Sequence, residues 1–243
     1  MNPIRLLAAA LALAVTSAAA AEPPACRVPD DLALTGLSLP TVAQARTTRK
    51  RLTILTIGGA STAGQAARGA EYTYPARLAE RLRARLPGIA VEITNRGLPA
   101  GSTRMRVDHL AADLAATRPD LVIWAPGSSE AGMSEDPGNF IDSLQEGVSA
   151  IRAAHADLVL IDLQWAPSIA RVVNLPQYNN AIAGVAANED VPLLRRSELM
   201  RRWNEDGTFN LDTTPAAQRL PAIRRLFDCI AMGLADGIIG SAP

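Results

Sequence analysis

The chain has 243 residues, with 24 basic against 24 acidic side chains, two cysteines and two histidines. A balanced charge implies no basic face, which argues against nucleic acid as a partner. Two cysteines and two scattered histidines are too few for a metal site.

Arg5 precedes an apolar run over 6–15, and Ser17 with the alanines up to Ala21 supplies small residues for cleavage. This pattern predicts a secretory signal over 1–21, and hence a periplasmic or secreted protein. The run is too short and too rich in alanine for a stable membrane span, and no later stretch is long enough for a transmembrane segment. The roughly 220 residues that remain suit one domain with a sizeable core. Residues 22–50 carry Pro, Thr and Arg with little periodicity and read as an extended arm leading into a domain over 51–243.

From Leu52 the pattern alternates. Strands are predicted at 52–57, 90–94, 121–125, 158–163 and 191–194, and helices at 74–86, 103–117, 139–154 and 176–188. A mostly helical segment over 216–239, interrupted near Pro221, closes the chain. The run at 121–125 is apolar throughout, as expected of a strand buried on both faces. Strands alternating with helices predict a three-layer α/β/α fold around a parallel five-stranded sheet, of the flavodoxin-like kind. Cys26 and Cys229 stand near the two ends of the mature chain. In an exported domain such a pair predicts a disulfide. The alternative is a lipid-anchored Cys26, for which Pro23-Pro24-Ala25 is a poor context.

In this architecture ligands bind where the strands end. The first such loop, 58–64, delivers Ser61 after two glycines. It is not a phosphate loop, because Gln65 and Ala66 stand where Lys and Ser/Thr are needed. It does not fit the dinucleotide fingerprint either, so no cofactor is implied. Gly59-Ala-Ser-Thr-Ala63 nearly meets the Gly-x-Ser-x-Gly elbow, although there the serine follows several strands and here it follows the first. Ser61 is therefore a candidate nucleophile or, equally, a cap of the next helix.

Asn95-Arg-Gly97 follows the second strand, Gly127-Ser-Ser-Glu130 the third, and Asp206-Gly-Thr-Phe209 precedes the last helical segment. This order resembles the SGNH/GDSL hydrolase family, whose members are esterases, lipases and carbohydrate deacetylases. The resemblance implies that Ser61 is the nucleophile and, with Gly97, part of the oxyanion hole. It also implies that Asp206 is the triad aspartate. Two positions depart from the family pattern. Ser129 stands where the oxyanion asparagine belongs, and Phe209 where the general-base histidine belongs. Losing one oxyanion donor costs about 10² to 10³ in rate. Losing a triad histidine costs on the order of 10⁶ in kcat.

Glu130 is a candidate replacement base, ahead of His109 and His155, which fall within and after predicted helices. Gln164 and Trp165, at the end of the fourth strand, are candidate ligand contacts, as are Trp203 and Tyr178 with its asparagine neighbours. The expectation is an exported SGNH-type protein with impaired catalysis. It would bind an acyl ester or carbohydrate ligand, or a periplasmic protein partner, in the former cleft. The alternatives are an active ester hydrolase with a non-standard base and a purely structural periplasmic component.

Overall fold

Alternate residues along each strand feed two separate cores, one on each side of a single sheet. Leu52 and Ile54, with Leu121 and Ile123, face one side, while Leu55 and Ile57, with Val122 and Trp124, face the other. All of these are buried, so the strands read as apolar runs without a polar face. A computed structural model describes residues 26–241. The predicted secretory signal lies outside the described residues.

In chain order the elements are α1 (Pro40–Gln44, continued by a π turn Ala45–Arg49), β1 (Arg51–Gly58), α2 (Ala60–Ala63), α3 (Tyr74–Arg85), β2 (Ala90–Gly97), α4 (Thr103–Thr117) and β3 (Leu121–Ala125). There follow α5 (Ser128–Met133), α6 (Pro137–Ala153), β4 (Asp157–Ile161), α7 (Pro167–Ala170), α8 (Leu175–Asn188), β5 (Leu193–Leu194), α9 (Arg196–Glu205) and α10 (Ala216–Gly240). The sheet is parallel throughout, in the order β2-β1-β3-β4-β5. This is the predicted three-layer α/β/α fold. Helices α1, α3 and α10 cover one face, and α4, α6 and α8 the other. The chain runs from β1 outward to β2 and then returns to β3 on the other side of β1. That reversal opens a crevice at the carboxyl ends of β1 and β3.

Two expectations need correction, and one element is new. The last part of the expected extended arm, 40–49, is helical: α1 starts on Pro40, a residue suited to the first helical turn, and buries Val42 against the core. Its Val42 amide donates to Asp157 Oδ2 at 2.9 Å. The last helix is continuous through Pro221. That proline lies in its second turn, where it and Ala217 are exposed, so the carbonyl it leaves unbonded faces water. Helix α9, among polar residues, is an element that the apolar pattern of the sequence does not predict.

The irregular residues before α1 are fastened to α9 and α10. Cys26 and Cys229 form the predicted disulfide, with Cα atoms 5.5 Å apart. Trp203 Nε1 donates to Arg27 O at 2.7 Å, and Arg202 pairs with Asp31 at 2.6 Å. Helix α10 is held to α3 by Arg81 and Arg77, both on Asp228.

Candidate active site

The two glycines at the ends of β1 and β2 are required by the backbone that folds over them. Gly58 pairs with Gly97 on one side and Ala125 on the other. A Cβ on Gly58 would stand 2.9 Å from Ala125 O and 2.4 Å from Thr62 Oγ1. One on Gly97 would stand 2.3 Å from Ala63 N. With no side chain in the way, the short turn α2 packs directly on the strand ends and lifts Ser61 above the sheet. Gly59, not Ser61, occupies the cap position of that turn, and no side chain caps it. The hydroxyl of Ser61 is used elsewhere.

Ser61 Oγ accepts a hydrogen bond from Arg196 Nη1 at 3.1 Å. Arg196 opens α9 and is only 3% exposed. Its Nε and Nη2 have no partner, and among the described residues no carboxylate lies within ion-pair distance of it. Burial pushes its pKa down, against the nearby charge of Asp162 and, more weakly, Tyr74. Asp162, just past β4, accepts from Ser197 N at 2.7 Å. Burial raises its pKa to about 6, held back by that amide and by the charges of Arg196 and Arg195. Tyr74 is buried with its hydroxyl 3.2 Å from Thr62 Oγ1, and burial raises its pKa too. A guanidinium carries donors and no acceptor, so Arg196 cannot take the Ser61 proton. The serine accepts inward and keeps its own O–H to donate outward.

The other site residues expected from the sequence take varied positions. The Gly97 N–H donates to Asn95 Oδ1 at 2.9 Å, and the Asn95 amide donates to Thr62 O at 2.8 Å. That N–H would have to leave Asn95 to serve an oxyanion. Ser129 Oγ donates to Gly101 O at 3.1 Å, turning towards the loop before α4. Glu130 is buried. One of its carboxylate oxygens accepts from the Thr103 amide at the start of α4, and the other has no partner. Asp206 ends α9, is exposed, and caps its own turn by accepting from Thr208 N at 2.9 Å. Phe209 is buried, edge-on to Trp203 with centroids 5.5 Å apart and with Arg225 stacked on its ring.

Ser61, Gly97 and the start of α5 at 127–130 thus meet at one end of the sheet. Neither Asp206 nor Glu130 is hydrogen-bonded to Ser61. His109 is exposed on α4. His155 is exposed ahead of β4, at the opposite edge of the parallel sheet.

The profile of the Non-GDSL lipase-like family matches residues 25–242. The chain belongs to that family. Among curated proteins, none matches it. Solved structures share the fold. The crystal structure of TesA is 23% identical, with 75% of this chain and 97% of that one covered and a TM-score of 0.60. LAE5, an α/β hydrolase enzyme from the metagenome of Lake Arreo, Spain, is 16% identical over 78% and 95%, with a TM-score of 0.63. The psychrotrophic esterase EstA from Pseudoalteromonas sp. is 19% identical over 75% and 98%, with a TM-score of 0.56. The fold of this Non-GDSL lipase-like chain is therefore that of the SGNH/GDSL esterases.

Three residues of the candidate site of this family member are not among those the sequence singles out. Asp162 carries a usable signal, since it is the first polar residue after an apolar parallel strand. Ser128 is exposed, with Oγ 3.7 Å from where a Cβ on Gly59 would stand, so it borders the Ser61 turn more closely than the sequence implied. Arg196 carries no signal, being one of several arginines in a polar run. Asp162 also forms part of the wall of a pocket of about 580 Å³ between α8 and α9, with Trp165, Asn179, Asn180, Arg195 and Glu198. Gln164 is exposed and does not line it. Tyr178 and Trp203 are core residues, Tyr178 donating its hydroxyl proton to Glu135 O.

Proposed function

We propose that this chain is an exported SGNH/GDSL hydrolase-like protein of impaired catalysis. Its cleft binds an acyl or carbohydrate ligand, or a protein partner, more than it turns an ester over. One observation carries the reading: the Ser61 hydroxyl is engaged by a guanidinium, a group that cannot accept its proton. Both imidazoles of the chain are exposed on other parts of the surface. The apolar N-terminal run and the Cys26–Cys229 pair support export, because such bridges persist in oxidising compartments.

An active hydrolase is the second reading, favoured by the retention of a partly exposed Ser61 at the end of β1. Its base would have to be a carboxylate, for which the buried Glu130 of α5 and Asp162 just past β4 are the candidates.

Fluorophosphonate labelling of the purified mature protein separates the two. The first reading expects no label beyond that on Ser61→Ala. Rapid stoichiometric labelling of Ser61 would establish the second.

A further inference from the structure

We propose that Ser61 and Arg196 together form a receptor for a carboxylate, so that the cleft takes a free acid and not its ester. The inference rests on the reading of the cleft as a binding site and names the chemical class that it binds.

Ser61 is partly exposed and accepts from Arg196, so the group it presents to the cleft is its O–H. Behind it the guanidinium is 3% exposed, with Nε and Nη2 unpartnered. Removing a cation from water without pairing it is costly, and a buried polar group without a partner calls for an explanation. Asp162 does not supply the missing partner: it lies beyond ion-pair distance of Arg196, and one of its oxygens is taken by the Ser197 amide. Arg195, on the adjacent cap position of α9, is exposed and forms no ion pair among the described residues. The N-terminal end of the ten-residue α9 adds its partial positive charge on the same side.

Arg196, Arg195 and the start of α9 outweigh the Asp162 carboxylate, so an acceptor meeting the Ser61 O–H meets a field that rewards one negative charge. A carboxylate supplies that charge and a suitable oxygen. An ester carbonyl supplies only the oxygen and gains far less from the buried cation. A phosphate dianion demands more donors than one hydroxyl.

The carboxylate could be carried by an acyl chain or by a sugar acid, and the test separates them. Titration calorimetry of the mature protein at low salt would use octanoate, methyl octanoate, glucuronate, glucose and inorganic phosphate. Octanoate or glucuronate should bind at least tenfold more tightly than its neutral counterpart, and the tighter of the two identifies the source. Arg196→Met and Ser61→Ala should each weaken that binding at least tenfold while still melting cooperatively. Should Arg196→Met fail to fold, Ser61→Ala decides.

Equal affinity for acid and ester, tight binding of phosphate alone, no acid binding, or undiminished binding in Ser61→Ala would each overturn the receptor. A protein labelled at Ser61 by fluorophosphonate that still binds the acid overturns the silent cleft and leaves the receptor standing. An unlabelled protein that binds no acid overturns the receptor alone.

Discussion

Arg196 Nη1 donates to Ser61 Oγ at 3.1 Å across 135 residues of chain. The bond joins a helix start beyond the last strand to the turn after the first. It fixes both the orientation of the hydroxyl and the sign of the charge behind it.

The two partners should respond oppositely to deletion. Ser61→Ala leaves a buried charged donor with no acceptor and should lower stability by about 1–3 kcal/mol. Arg196→Met removes an unpaired buried cation of similar length, which should be neutral or stabilising by about 1–3 kcal/mol. Urea unfolding midpoints of the two variants check this. A loss of stability in Arg196→Met larger than that in Ser61→Ala would mean that the guanidinium is well solvated or paired in solution.

Phe209 stands by resemblance at the general-base position, yet its ring lies in an apolar pocket against Trp203 and under Arg225. Phe209→His loses apolar contact and buries ring nitrogens, at a cost of about 1–3 kcal/mol. With Ser61 engaged by Arg196, neither this change nor its combination with Ser129→Asn should raise short-chain ester turnover above that of Ser61→Ala. A gain that depends on Ser61 would place Phe209 within reach of the hydroxyl.

The reach of the sequence differs between fold and site for a physical reason. Helix α4 and strand β3 were legible to the residue, because β3 is buried throughout and α4 keeps Val107, Leu110 and Leu114 at helical spacing on the face it buries. α9 was not. Its inward residues Leu199, Met200 and Trp203 have helical spacing, but they are diluted by arginines and glutamates that pair with one another along the surface. The places of Ser61 and Gly97 at the strand ends were legible because a strand end and a close backbone approach each leave a mark on residue type. Arg196 was not, since nothing local tells an inward arginine from its exposed neighbour Arg195.

Asp162 gives the stability a pH dependence of defined sign. Its folded pKa of about 6 lies above the ordinary aspartate value of 3.8, so between those values the folded protein holds a proton that the unfolded chain releases. The favourable contribution is fully present below about pH 4 and is lost as pH rises through about 6, by up to about 3 kcal/mol. Asp162→Asn should remove this slope and still accept from Ser197. Urea midpoints of both proteins from pH 4 to pH 7.5 check it, and parallel curves would refute the assignment.

The Cys26–Cys229 bridge closes a loop of 203 residues and ties the segment before α1 to α10. In the chain-entropy account such a loop contributes about 5 kcal/mol. Reduction, or Cys26→Ser, should therefore lower Tm by many degrees. Alkylation of the urea-unfolded protein without reductant should label no thiol, because both sulfurs are in the bridge. Two thiols labelled under oxidising conditions would remove the bridge from the account.

Gly97 separates a steric role from an oxyanion role. Its N–H donates to Asn95, and a Cβ there would stand 2.3 Å from Ala63 N and 2.7 Å from both Ala63 Cα and Thr62 C. All three are backbone atoms, so no side chain can move aside. Gly97→Ala keeps the N–H but must push the α2 turn off the strand ends, at a cost of about 1–3 kcal/mol. The displaced turn carries Ser61 away from Arg196, so binding at the cleft should fall together with stability. Gly59→Ala provides the contrast, since a Cβ there meets only the Ser128 side chain at 3.5 Å and should cost much less. Melting curves and octanoate titrations of the two variants check this. A Gly97→Ala protein as stable as the wild type would show that the α2 turn is not pinned on the sheet, and the position of Ser61 would then need another cause.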